Sequence, residues 1–137
     1  MLKKINNEQS LWPKNVIVSP EDAFIDERGS IQPLVDLPMK SCVIINSKKN
    51  SIRANHYHKT DWHFCYVVSG EIEYHYRPHG SDEIKKVIKI GEGELFFTPP
   101  MVDHAMVFLK DTVFLTLGRN SRKQEVYEED IEKVELV

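Results

Sequence analysis

Through most of this chain, apolar and polar residues alternate in short runs that are closed by turn residues. That is the period-2 pattern of half-buried β-strands. Val16-Ile17-Val18 reads as a short strand stopped by Ser19-Pro20. Asp26-Glu27-Arg28-Gly29 reads as a turn, and Ile31 to Val35 as the next strand, with Pro33 marking an edge or a bulge. Further strands are expected at Cys42 to Asn46, Ile52 to Tyr57, Trp62 to Ser69, Ile72 to Arg77, Val87 to Ile90, Leu95 to Thr98, His104 to Phe108 and Val113 to Leu117. Lys59-Thr60-Asp61, Gly70-Glu71 and Gly91-Glu92-Gly93 supply turns between them. Many short strands at intervals of about ten residues predict an all-β sandwich or barrel rather than βαβ units.

The same pattern bounds the domain. Residues 1–15 are polar around two apolar anchors, Leu11 and Trp12, and read as a loose arm or an edge segment. Residues 16–120 hold all the strands and form one expected β-barrel domain. Residues 121–137 are acidic and mixed, and read as a tail or a short helix. In the strand 62 to 69, His63, Cys65, Val67 and Ser69 share one face, and Phe64, Tyr66 and Val68 the other. Both faces are largely apolar, so both need cover, from an opposing sheet or from a second subunit. Edge strands add to that need, and a homodimer is expected.

Composition narrows the function classes. A net charge of -3 over 137 residues offers no field for nucleic acid or an anionic membrane. No apolar run reaches the roughly 20 residues of a membrane span. The first residues lack the apolar stretch of a secretion signal, so the cytoplasm is the expected location. Cys42 and Cys65 lie among β-type residues and read as buried thiols, not as a disulfide. No CxxC pair is present to hold zinc through thiolates.

The chemistry concentrates in histidine. His56 and His58 are two apart, so on a strand they point the same way. A short turn returns the chain, and His63 can join them; His104 opens a later strand. Converging imidazoles suit Zn, Fe, Ni or Mn, and need partners such as Asp61, Asp103 or Glu73 to hold their tautomers. A polar pocket without metal fits the spacing equally well.

Residues 53–108 resemble the two motifs of the cupin superfamily, a jelly-roll β-barrel. His56 and His58 match the HxH pair of the first motif, His63 stands at its Glu and Gly70 at its Gly. Gly93, Pro99 and His104 match the second motif, while Met101 and Phe108 replace its second Gly and final Asn. The segments Phe24 to Gly29 and Arg53 to Lys59 are similar to those of nucleotide-sugar cupins. These are the dTDP-4-dehydrorhamnose 3,5-epimerases and the dTDP-4-keto-6-deoxyglucose ketoisomerases. The acidic stretch from Tyr127 to Ile131 resembles the tyrosine-rich end of the ketoisomerases, whereas Ala54 departs from their Gly.

The resemblance implies a nucleotide-linked keto-deoxysugar, used for surface polysaccharide, as the small-molecule substrate. Such a reaction takes a proton from beside a ketone, which needs a base near neutrality and a donor to the oxygen. His56 or His58 is the candidate base, and the other the donor. Arg53 and Arg28 are candidate phosphate ligands. Arg28 fits a turn-capping ion pair as well. Tyr74 or Tyr76 could stack on the sugar or base, or simply pack the sheet. The resemblance also puts His56, His58, His63 and His104 at metal-ligand positions, for one divalent ion, Zn or Fe. A metal-binding cupin of other function, and a non-catalytic sugar-sensing or scaffolding protein, stand as alternatives.

Overall fold

The computed structural model describes residues 8–137. Strands form where the alternation runs: β1 (Ile17–Val18), β2 (Phe24–Asp26), β3 (Gly29–Ile31), β4 (Ser41–Ser47), β5 (Ile52–His58) and β6 (His63–Ser69). They continue as β7 (Glu71–Pro78), β8 (Lys86–Gly91), β9 (Leu95–Thr98), β10 (Val102–Phe108) and β11 (Thr112–Gly118). A seven-residue helix, α1 (Gln124–Asp130), then leads into β12 (Ile131–Lys133). A helical turn at residues 8 and 9 precedes β1. Part of the expected N-terminal arm, residues 1–7, lies outside the described residues.

Two five-stranded antiparallel sheets face each other. One runs β1-β9-β6-β11-β4, the other β12-β5-β10-β7-β8. Long crossings between the sheets make this the cupin-type jelly roll expected of the motifs. Between the sheets lie Cys65, Val67, Ile72, Tyr74, Ile90, Phe96, Phe108 and Phe114. Tyr74 therefore looks inward from β7, and Glu73, His75 and Arg77 outward. Phe64, Leu95 and Phe97 alternate away from that interior and meet a second apolar layer with Trp62, Trp12, Val35, Leu37 and Met39. Strand β6 is thus apolar on both sides because it is covered on both sides.

Three local expectations change. The strand expected at Ile31 to Val35 stops at Ile31, where β3 ends its hairpin with β2. Pro33 has no N–H to give a ladder, and the chain beyond it lies across the outer face of the first sheet. Cys42, expected to be buried, is exposed on the outward side of β4, while Cys65 is buried as expected. The tail forms not only a helix but also β12, an added strand along β5. No helix among the described residues is long and apolar enough to cross a membrane.

Candidate functional site

A bulge in β5 aims the first two histidines. Ala54 pairs with Ala105, His56 pairs with His104, and Asn55 between them is skipped. Ala54 and Asn55 both adopt the left-handed conformation, with φ of 69° and 53°. Asn tolerates that region, but an Ala there is held against its preference. The tail does the holding. Leu136 and Val137 donate their N–H groups to Asn55 Oδ1, at 3.3 and 3.0 Å, and Asn55 Nδ2 donates to the Val137 carbonyl. Beyond the bulge, His56 and His58 turn into the barrel while Tyr57 faces out and stacks on His79, 3.8 Å between centroids.

His104 completes a trio. Its ring centroid lies 4.8 Å from that of His56 and 5.5 Å from that of His58. One ring nitrogen from each of the three lies within 4.8 Å of the others. All three are buried, and burial presses each toward the neutral form, with the neighbouring imidazoles adding to it for His56 and His104. His56 is lowered to about 3. His104 donates Nδ1–H to the Val102 carbonyl at 3.0 Å, which leaves its Nε2 lone pair toward the others. Both ring nitrogens of His58 are buried without a hydrogen-bond partner among the described residues. Its nearest acid, Asp130 Oδ2, stands 3.6 Å from Nδ1.

His63 enters the same cavity from β6, its ring 4.6 Å from that of His58. It does not join the trio's nitrogen cluster but forms another, with His58 and Asp61. Its Nε2 meets Asp61 Oδ2 at 2.7 Å. Asp61 is fixed in turn, since Oδ1 accepts the N–H groups of Trp62 and Asn120 at 2.9 and 2.8 Å. Burial is the largest influence on Asp61 and opposes its charge, but the hydrogen bond and charge of His63, the Asn120 N–H and the charge of His58 together lower the carboxyl below its ordinary value. Gly118 makes room for the ring: a Cβ there would stand 3.1 Å from His63 Cδ2 and 2.5 Å from Ser41 Oγ.

The cavity around these four rings measures about 170 Å³. Arg53 lines it, giving Nε–H to Ser47 Oγ and Nη2–H to the Asn46 carbonyl. Neither partner is charged, so the guanidinium keeps its charge for a ligand. Tyr74 lines it from below, its hydroxyl 2.8 Å from Thr98 Oγ1. Arg28 lies elsewhere, on the β2–β3 hairpin, where it pairs with Asp26 Oδ2 at 2.6 Å and is largely exposed. Asp103 and Glu73, expected beside the trio, hold His79 and His75 on the outward side. Three residues of the tail were not expected at the site: Arg122, Tyr127 and Asp130. Tyr127 stands 5.8 Å from His58 and 6.2 Å from His56, and the Arg122 guanidinium lies 3.5 Å over its ring. Asp130 accepts from Thr60 N and Oγ1 and from Asp61 N, tying the helix end to the β5–β6 turn.

Comparison with known proteins follows the same lines. The family model described as the cupin domain matches residues 44–117, from β4 to β11. No curated protein matches the chain. A double mutant of the QdtA 3,4-ketoisomerase from Thermoanaerobacterium thermosaccharolyticum, in complex with TDP, superposes with a TM-score of 0.70. It is 20% identical over 89% of this chain and 89% of that one. A 3,4-ketoisomerase from Helicobacter canadensis gives 0.69 at 19% identity, over 83% of this chain and 86% of its own. The dTDP-4-dehydrorhamnose 3,5-epimerase from Sulfolobus tokodaii gives 0.65 at 17% identity, over 83% and 73%. These likenesses are likenesses of fold. With the family match covering both histidine motifs, and the barrel holding them face to face, the chain belongs to the cupin family.

Proposed function

We propose that this protein is an isomerase or epimerase of a nucleotide-linked keto-deoxysugar, and that a histidine of the barrel cavity moves the proton. The supporting observation is the convergence of buried, neutral imidazoles in one cavity lined by an arginine without a carboxylate partner. A neutral imidazole can take a proton from carbon beside a ketone, and a second can donate to the oxygen where charge develops. His56 and His58 face the cavity together and can divide those roles. Arg53 can pair with a phosphate at the mouth. The similar folds of the ketoisomerases and the epimerase favour this substrate class.

The test is NMR of the protein with dTDP-4-keto-6-deoxyglucose in D₂O. Deuterium should enter at a carbon beside the ketone. Absence of both binding and exchange would remove the reading.

His58 favours a second feature of the same site. A fully buried imidazole with two unpartnered nitrogens carries a cost of about 1–3 kcal/mol per unsatisfied group. A divalent ion bound by His56, His58 and His104 would relieve it, and the all-nitrogen donor set suits Zn or Fe rather than Mg or Ca. When bound, such an ion supplies Lewis acidity toward a ketone oxygen. The three rings would then give their lone pairs to it, and the base would have to be another group.

The reading includes a homodimer. Ile44 and Val68 stay exposed on the outward face of the first sheet, and β4 is an open edge beside them. Sedimentation at micromolar concentration should show twice the 16.0 kDa chain mass. A single monomeric species would exclude it.

A further inference from the structure

We propose that His63 is the base of this cavity, held for that task by Asp61, and that it stands apart from the ion-binding trio. The inference rests on the reading of the protein as a keto-sugar isomerase or epimerase whose trio holds an ion, and it takes the base role from His56 and His58 in that case.

The geometry separates the two groups. His56, His58 and His104 bring their nitrogens together, and no nitrogen of His63 falls within that cluster. His63 is committed elsewhere. Its Nε2 lies 2.7 Å from a carboxylate oxygen, and a carboxylate can only accept. The proton of the neutral ring is therefore on Nε2, and the lone pair is on Nδ1.

The bond to Asp61 fixes the ring's orientation. Its Cδ2–Nε2 edge lies beside Gly118, whose lack of a Cβ leaves it room. Nδ1 is the atom opposite that edge. It has no hydrogen-bond partner among the described residues, yet it is not one of the sealed, unpaired atoms. His63 is partly exposed, its side chain at 15%, and it lines the cavity. A lone pair is thus presented to the cavity by a ring whose other nitrogen is fastened.

Asp61 is built as an anchor. It is 4% exposed, and both of its oxygens are used: two backbone N–H groups on Oδ1 and the ring on Oδ2. A carboxylate so fixed holds the imidazole in one tautomer, and offsets the charge when Nδ1 takes a proton. Asp61 acts through His63 and is a positioning residue.

The step balances without an outside oxidant. The C–H bond beside the ketone breaks and an Nδ1–H bond forms. The C–H electron pair becomes the new C=C bond, and the C=O π pair moves to oxygen. Delivery of a proton to the other face of the same carbon by a second donor, which regains a proton through water as Nδ1 gives up its own, gives the epimer. Return of the proton to the former ketone carbon, with the hydroxyl proton of the first carbon passing to the neighbouring oxygen, gives the shifted ketone.

The experiment has two arms on the full chain. In the first, ¹⁵N-histidine NMR is recorded before and after addition of zinc alone. His63 should show the Nε2–H tautomer, and zinc should shift His56, His58 and His104 but leave His63 in that form. A zinc-bound His63, or an Nδ1–H tautomer, overturns the proposal. In the second, deuterium exchange into dTDP-4-keto-6-deoxyglucose is compared across variants. His63→Gln should slow exchange by about 100-fold or more, with zinc content within twofold of the parent. Asp61→Asn should lower kcat, leave KM near the parent value and leave zinc content unchanged. Exchange at the parent rate in folded His63→Gln overturns the proposal and spares the wider reading. No exchange in the parent protein removes the wider reading, and the base role with it.

Discussion

His75 and His79 lie on the outward side of the second sheet, while His56, His58 and His104 face the cavity between the sheets. Each outward histidine rests on a carboxylate at 2.8 Å, Glu73 for His75 and Asp103 for His79. The inward trio meets mainly other imidazoles and one backbone carbonyl. The residue type is the same, but each outward ring is positioned by a carboxylate on one nitrogen, although His75 Nδ1 is buried without a partner among the described residues. The inward rings are positioned by a bulge and a strand, and their nitrogens are left for something else. His63, like His75, has one nitrogen on a carboxylate and one without a partner among the described residues, but His63 lines the cavity. A carboxylate partner, more than burial, separates the outward histidines from the inward trio, since His75 is as buried as His56.

The contrast can be broken most sharply with zinc. His104→Ala should weaken zinc binding by more than about 100-fold, because removing a ligand costs at least as much as removing a residue that orients one. His79→Ala should leave it within twofold. Elemental analysis after equilibrium dialysis checks both, and equal losses would erase the distinction.

Acid should separate the groups next. The trio is lowered in the folded protein, so the unfolded chain takes up protons first as pH falls below the ordinary 6.5. The stability owed to the neutral trio is whole above 6.5 and is lost on the way down, for His56 until about 3. The slope should approach about 1.4 kcal/mol per pH unit for each such histidine. Urea unfolding at pH 7, 5.5 and 4.5 measures it, and His56→Gln should flatten the curve. Unchanged stability from pH 7 to 4.5 would mean that the trio is not buried neutral.

Asp130→Asn should cost about 1–3 kcal/mol, because its carboxylate accepts from Thr60 and Asp61 in a partly buried turn. Thermal unfolding reads that loss. His79→Ala removes the exposed partner of buried Asp103, which keeps Arg77 at 3.4 Å, and should cost no more than about 1 kcal/mol. A larger loss would show that the outward pair carries more of the fold than its exposure suggests.

Much of this was legible in the chain. The alternation placed the main strands, and the spacing of His56 and His58 put both on one face. The motif resemblance set His104 opposite them. Other features were hidden for physical reasons. A bulge built on Ala54 and Asn55 carries no glycine to announce it, and the residues that stabilise it are some eighty positions away. Asp130, Tyr127 and Arg122 reach the cavity through tertiary packing, which local periodicity does not encode. Arg28 sits in a segment like that of the sugar cupins, and its guanidinium pairs with Asp26 two residues away, as the turn-capping alternative expected.

Tyr74 touches two chambers. On one side it lines the histidine cavity, and on the other a second, mostly apolar cavity of about 180 Å³ with Tyr76, Phe97 and Ile84. Its hydroxyl is latched to Thr98, so the ring stands as a partition across the barrel. The histidine chamber and its neighbour therefore share this ring as a wall. Shortening one side chain would turn two closets into a corridor, and a molecule too long for the first could then lie through both.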